Sequence, residues 1–352
     1  MSALSAKNPV APSRLPAPAA ARPMGRAADR VKDCAANVLM LRKIAGWFAS
    51  RPRRGATIAE RLGFDRTARL LIINADDFGL CHEQNLATIE GLRRGAWSSA
   101  SVMVPCPGFG EACEYVRREP DADIGIHLTL TSEWDRNRWR PILDADKVRS
   151  LVDADGCFWR SRTEVFSLAR PDEVEGELRA QIESALAAGI DVTHLDSHMF
   201  ILNTHRRDLQ QIYLRLARDY SLPLRAAWRT IMHWYGFGAV PAQAEQLGIL
   251  CPDNFAVMSR VRPSRMPVFW TALLRTLPPG LTEICCHPAY AQGGLAGFAD
   301  DAAHREAEFR FFTSERARRI IKSRGIRLVG YRLLRDAMRC AAGNRRARSV
   351  PN

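Results

Sequence analysis

With 352 residues, 47% of them hydrophobic and 25% charged, the chain is long enough for one large or two ordinary globular domains and unlike a fibrous or fully disordered one. A net charge of +13 suggests nucleic acid or an anionic membrane, yet residues 1–66 carry thirteen Lys and Arg against four Asp and Glu, and residues 315–352 twelve against two, so the stretch between them is mildly acidic. The charge belongs to the ends and does not define a function.

Residues 1 to about 30, rich in Ala, Pro and Arg, read as a disordered leader. Asn37–Ser50 is interrupted by Arg42 and Lys43 and fits an amphipathic helix better than a signal-peptide core. No run reaches the roughly 18 to 20 apolar residues needed to cross a bilayer. The nine cysteines lack zinc-type spacing, which points to free thiols and a cytoplasmic location.

From Thr57 the punctuation changes. A short helix (TIAERLGF) leads into a strand over Arg69–Asn74, then a helix over Asn85–Arg94 closed by Gly95. Further strands are expected at Ser101–Val104, Ile124–Leu130 and Val192–Leu195. Others are expected at Leu222–Arg225 and Leu281–Cys286, with a closing strand at Arg327–Val329. Helices are expected at Pro171–Ala188, His205–Tyr220 and Ser314–Lys322. Buried runs separated by helices imply parallel β/α units, in an α/β barrel or an open doubly wound sheet.

The chemistry-bearing residues fall at predicted strand ends, the face that carries active sites in such folds. Asp76-Asp77 follows a buried strand, where a carboxylate is costly unless paired or bound to metal. His127 stands alone in an apolar strand. In Thr193-His194-Leu195-Asp196-Ser197-His198 two histidines flank an aspartate, a donor set suited to Zn, Mn, Fe or Ni, with Asp196 and Ser197 able to orient an imidazole. His287 ends the last long strand and could protonate a leaving group. Taken singly, each has a plainer explanation as a helix cap or a core histidine.

Together, LLIINADDFG, GIHLTLTSEW, THLDSHM, LPLR and EICCHPAY, in that order, resemble the YdjC-like carbohydrate deacetylases over about residues 58 to 336. The resemblance implies a distorted (β/α) barrel related to polysaccharide deacetylases, with a basic N-terminal extension over 1–57 and a basic tail over 337–352. It implies one divalent metal, Mg or Zn, held by Asp77, His127 and His198. Asp76 is implied as general base, His287 as acid or oxyanion-side partner, and Arg225 as the group that orients the base. The implied substrate is an N-acetylated sugar or glycolipid. No specific nucleic acid is expected, and the basic ends could touch a membrane surface weakly.

Trp134, Arg138 and Trp139 follow the His127 strand and are candidates for a sugar-stacking wall. Met199 and Phe200 stand where the family is richer in histidine, which bears on the choice of sugar. A metal-dependent phosphoesterase would want more Lys and Arg beside the metal than this acidic centre offers. A non-catalytic carbohydrate- or nucleic-acid-binding homologue is the other alternative.

Overall fold

A computed structural model describes residues 55–203, 206–230, 237–257 and 261–348. The expected disordered leader, the Asn37–Ser50 helix and His205 lie outside these residues. The described chain opens with α1 (Ile58–Arg61), whose Thr57 and Glu60 cap each other's backbone N–H groups. Next come β1 (Arg69–Phe78), α2 (His82–Arg93), β2 (Ser99–Val102), α3 (Phe109–Arg118) and β3 (Ile124–Leu128). A long loop then leads to α4 (Arg162–Leu168), α5 (Pro171–Ala187) and β4 (Val192–Ser197).

The second half holds α6 (Arg207–Asp219), β5 (Arg229–Thr230), α7 (Val240–Gln246), β6 (Asn254–Val257), α8 (Met266–Thr276) and β7 (Gly280–Cys286). It ends with α9 (Ala302–Phe312), α10 (Glu315–Ser323), β8 (Ile326–Leu328) and α11 (Tyr331–Arg348). None of the described helices is long and apolar enough to cross a membrane.

The strands form one parallel sheet in the order β4-β3-β2-β1-β7-β6-β5. β1 lies in its middle because Leu70 to Ile73 are apolar on both faces, and helices cover what neighbouring strands do not; all four are buried. β7 runs along one edge of β1. The other edge is shared, with β8 pairing Arg69–Leu71 and β2 pairing from Asn74 onward.

The last strand therefore does not close the ring as expected; it fills the first part of an inner edge. The ring is drawn together instead by Leu222–Arg225. Arg225 N–H donates to Leu195 O at 3.0 Å, Leu195 N–H to Pro223 O at 3.1 Å, and Leu224 N–H to Leu250 O at 3.2 Å. This gives the distorted (β/α) barrel that the sequence suggests.

Two element ends differ from expectation for visible reasons. β3 stops at Leu128, because the Thr129 backbone pairs with the Gln181 side chain through both its N–H and its carbonyl. α11 runs through the boundary drawn at 336. Its Tyr331 and Leu334 are buried against Ile58, Leu70, Ile72 and Leu281, so the start of this helix belongs to the barrel's packing.

Candidate metal centre and active site

Strand register assembles the site. His127 pairs with Asp196 across β3 and β4, and Ala75 pairs with Cys286 across β1 and β7, which sets Asp76 beside His287 at the same end of the sheet. In a regular strand Asp76 and Asp77 would face opposite sides. Here the register shifts between Ala75 and Phe78, and Asp77 takes φ +61°, a left-handed conformation that Asp tolerates better than most residues. Both carboxylates consequently reach one cavity of about 450 Å³.

Asp77 Oδ1 lies 3.3 Å from His127 Nε2 and 3.3 Å from His198 Nδ1. The far side of each ring is already committed. His127 Nδ1 is 2.7 Å from Asp196 Oδ1, and His198 Nε2 is 2.7 Å from Glu133 Oε1. Those bonds fix the tautomers, leaving two imidazole lone pairs converging on a carboxylate oxygen. Among the described residues that buried oxygen has no hydrogen-bond donor.

Three lone pairs meeting without a proton repel one another unless a cation lies between them. Ligand distances of about 2.0–2.2 Å would put neighbouring donors about 3 Å apart, as found here. The residues therefore fit one divalent ion, and two nitrogens with one oxygen suit a borderline metal. Without an ion the same groups draw protons. Burial pulls both imidazoles down, but Asp196 and Asp76 outweigh it and hold His127 at about 10, while Glu133 and Asp77 hold His198 at about 9. His198→Ala is expected to lose bound metal and turnover together, as read by elemental analysis beside acetate release. Full metal occupancy in that variant would remove His198 from the ligand set.

Asp76 is held differently. Burial would raise its carboxyl, but Arg225 and His127 keep it lowered. Arg225 grips both its oxygens, with Nη2 to Oδ1 at 2.7 Å, and Asn74 Nδ2 donates to Oδ1 at 2.8 Å. Arg225 is itself fully buried, and Asp196 (2.9 Å) and Glu283 (2.8 Å) hold it from behind. His287 borders the same cavity with its side chain 28% exposed; burial lowers its pKa from the ordinary value.

Of the three residues expected to form a sugar-stacking wall, only Trp134 reaches the cavity. Trp134 lines the cavity, with its ring edge-on to Phe298 and the Arg305 guanidinium 5.9 Å above it. Trp139 is 2% exposed and packs in the core behind it. Arg138 is tied to Asp153 at 2.7 Å and to the Phe158 carbonyl at 2.6 Å, so neither residue lines the cavity. Trp134→Ala should therefore raise KM severalfold with little loss of stability. Trp139→Ala should cost about 3–5 kcal/mol of stability, measurable by denaturant unfolding. Met199 and Phe200 both border the cavity in left-handed conformation (φ +54° and +56°), which re-aims the chain directly after His198.

Several site residues escaped the sequence reading. Glu133, inside the GIHLTLTSEW segment, carries the His198 contact. Arg305 donates to Asp77 Oδ2 at 2.7 Å and to Gln84 at 3.1 Å, and Glu308 sits one turn further along α9. The available signal was charged residues spaced by three and four on a helix, and nothing in the sequence marks which face of that helix is buried. Glu283, within the EICCHPAY segment, accepts from Arg225 and from the Tyr331 hydroxyl.

The chain matches the YdjC-like protein family over residues 70–323. A carbohydrate deacetylase of Brevibacillus brevis is 33% identical, aligned over 74% of this chain and 98% of its own length. One from Thermus thermophilus is 34% identical, over 80% and 99%. The crystal structure of a candidate cellobiose-phosphate cleavage protein from Enterococcus faecalis V583 superposes with a TM-score of 0.66 at 32% identity, covering 75% of this chain and 98% of that one. Fold, strand-end motifs and these matches agree, and the chain belongs to the YdjC-like protein family.

Proposed function

We propose that the protein is a metal-dependent deacetylase hydrolysing the N-acetyl group of an amino sugar, borne on an oligosaccharide or a glycolipid. The observation that carries this reading is the convergence of Asp77 Oδ1, His127 Nε2 and His198 Nδ1 on one point beside the clamped Asp76. The relatives named as carbohydrate deacetylases, matched over nearly their whole length, support it. The cavity supports an amide over a phosphoester, since Asp76, Asp77, Glu133, Asp300, Asp301 and Glu308 outnumber Arg162 and Arg305 among its lining residues.

A bound divalent ion of the Mg or Zn type supplies Lewis acidity, polarising the acetamide carbonyl and making water more acidic. The chain's own residues do the rest. Asp76, aligned by Arg225 and Asn74, takes a proton from the attacking water. Asp196 and Glu133 keep the two imidazoles in the tautomers that face the ion. Trp134 offers a flat apolar face to the pyranose CH groups. His287 gives a proton to the departing amine nitrogen.

The test is acetate release from N-acetylglucosamine oligomers and from an N-acetylated glycolipid, with the full-length protein. Chelation is expected to abolish release and one equivalent of divalent metal to restore it. A protein that carries no metal by elemental analysis and releases no acetate would instead favour the carbohydrate-binding alternative.

A further inference from the structure

Glu308 is a buried acid that the mechanism above leaves idle. It projects from α9 into the cavity wall and is 2% exposed. Its Oε2 accepts the His287 backbone N–H at 2.6 Å and lies 3.9 Å from His287 Nδ1. Among the described residues its Oε1 has no partner. The nearest guanidinium, Arg305 one turn earlier, is engaged by Asp77, Gln84 and Asp301. A carboxylate this buried, with one donor and no cation of its own, is better accommodated as the neutral acid. Burial indeed pushes Glu308 up to about 8.

We propose that Glu308 is the positioning and proton-supplying residue behind His287, passing its proton to the imidazole as the imidazole protonates the leaving amine. The inference rests on the deacetylase reading and adds a residue to it. As the C–N bond breaks, its electron pair stays on nitrogen, which takes the proton of His287 Nε2. Nδ1 then takes the proton of Glu308, leaving a carboxylate. The transfer requires the 3.9 Å gap to close, and His287 is the more exposed member of the pair, at 28% against 3%.

The protons balance. Water loses one to Asp76 and one when the acetic acid ionises, and the amine nitrogen gains one from His287 and one from solvent. The proton on Asp76 then returns through solvent to His287 Nε2 while Nδ1 hands its proton back to Glu308, which resets the site.

Glu308→Gln keeps an acceptor for the His287 N–H and removes only the proton. In the full-length, metal-loaded variant, turnover of the N-acetyl sugar is expected to fall about 10²-fold at similar KM, the lower end of what general acid catalysis contributes. Hydrolysis of an activated aryl acetate, whose leaving group needs no proton, should stay within about twofold of wild type. The infrared band of a neutral carboxyl should be present in the wild type and missing from the variant.

Unchanged amide turnover, equal loss of amide and ester turnover, or the absence of that band would each overturn the proposal. If the Gln variant does not fold, Glu308→Asp takes its place, since the shorter acid draws back from Nδ1; it should lower amide turnover and spare the ester. A wild-type protein that releases acetate from no N-acetyl sugar would refute the deacetylase reading itself, a result separate from the amide-to-ester ratio of the variants.

Discussion

Asp76→Asn should leave the metal content unchanged and cut acetate release by about 10²–10⁴-fold, the usual worth of a positioned general base. The argument is one of geometry. The proposed donors are Asp77, His127 and His198, whose ring nitrogens and carboxylate oxygen lie close together, and on that proposal the substitution leaves the ligand set intact. Asp76 lies next to that set, with Oδ2 3.8 Å from His127 Nε2, and Arg225 aligns it. An amide at this position still accepts one hydrogen bond from Arg225 through its oxygen, but it cannot take a proton from water. The loss should appear in kcat with KM nearly constant. Elemental analysis and steady-state kinetics on the same preparation decide it. Turnover retained in Asp76→Asn would sink the assigned roles, and metal lost along with turnover would place Asp76 among the ligands.

Arg225→Met should act on stability as strongly as Asp76→Asn acts on turnover. Arg225 is fully buried and answers three carboxylates, those of Asp76, Asp196 and Glu283. Removing one partner from a buried ionic network leaves charges uncompensated, and such changes cost about 3–5 kcal/mol. Denaturant unfolding at neutral pH measures this directly.

The pH dependence has a definite sign. Against the opposing effect of burial, Arg225 lowers the folded-state pKa of both Asp76 and Asp196. The stability it confers through them is therefore present above their unfolded value of 3.8 and lost as pH falls through the folded values. The gap between wild type and variant should be full at neutral pH and close in acid. Glu283 works in the other direction, because burial raises its carboxyl even beside Arg225. A variant within about 0.5 kcal/mol of wild type at neutral pH would show the network to be dispensable, since that is the scatter of ordinary surface changes.

Most of the sheet is legible in the sequence, because a parallel strand covered on both faces must be apolar throughout, as Leu70–Ile73 is. β5 and β6 went unseen: β5 is two residues long, and the four residues of β6 begin at the polar, buried Asn254. The lining of the cavity was half legible. Trp134 and Trp139 look alike in sequence, and only the path of the loop after β3 sends one to the cavity and the other to the core.

By itself the sequence determined the types of group and their order: two adjacent aspartates at the end of the first strand, a histidine within the third, another just after the fourth, and one after the strand that ends at Cys286. In parallel β/α units strand ends gather on one face, so those residues had to meet. Only the tertiary structure decided how they meet. The left-handed turn at Asp77 brings two neighbouring carboxylates to one cavity. Asp196 and Glu133 choose which imidazole nitrogen faces inward. Arg305 takes the second oxygen of Asp77, and Glu308 comes up against His287 from a helix that local pattern does not connect with the site. These are relations across long sequence separations, set by register, crossover and side-chain reach, and no local pattern encodes them.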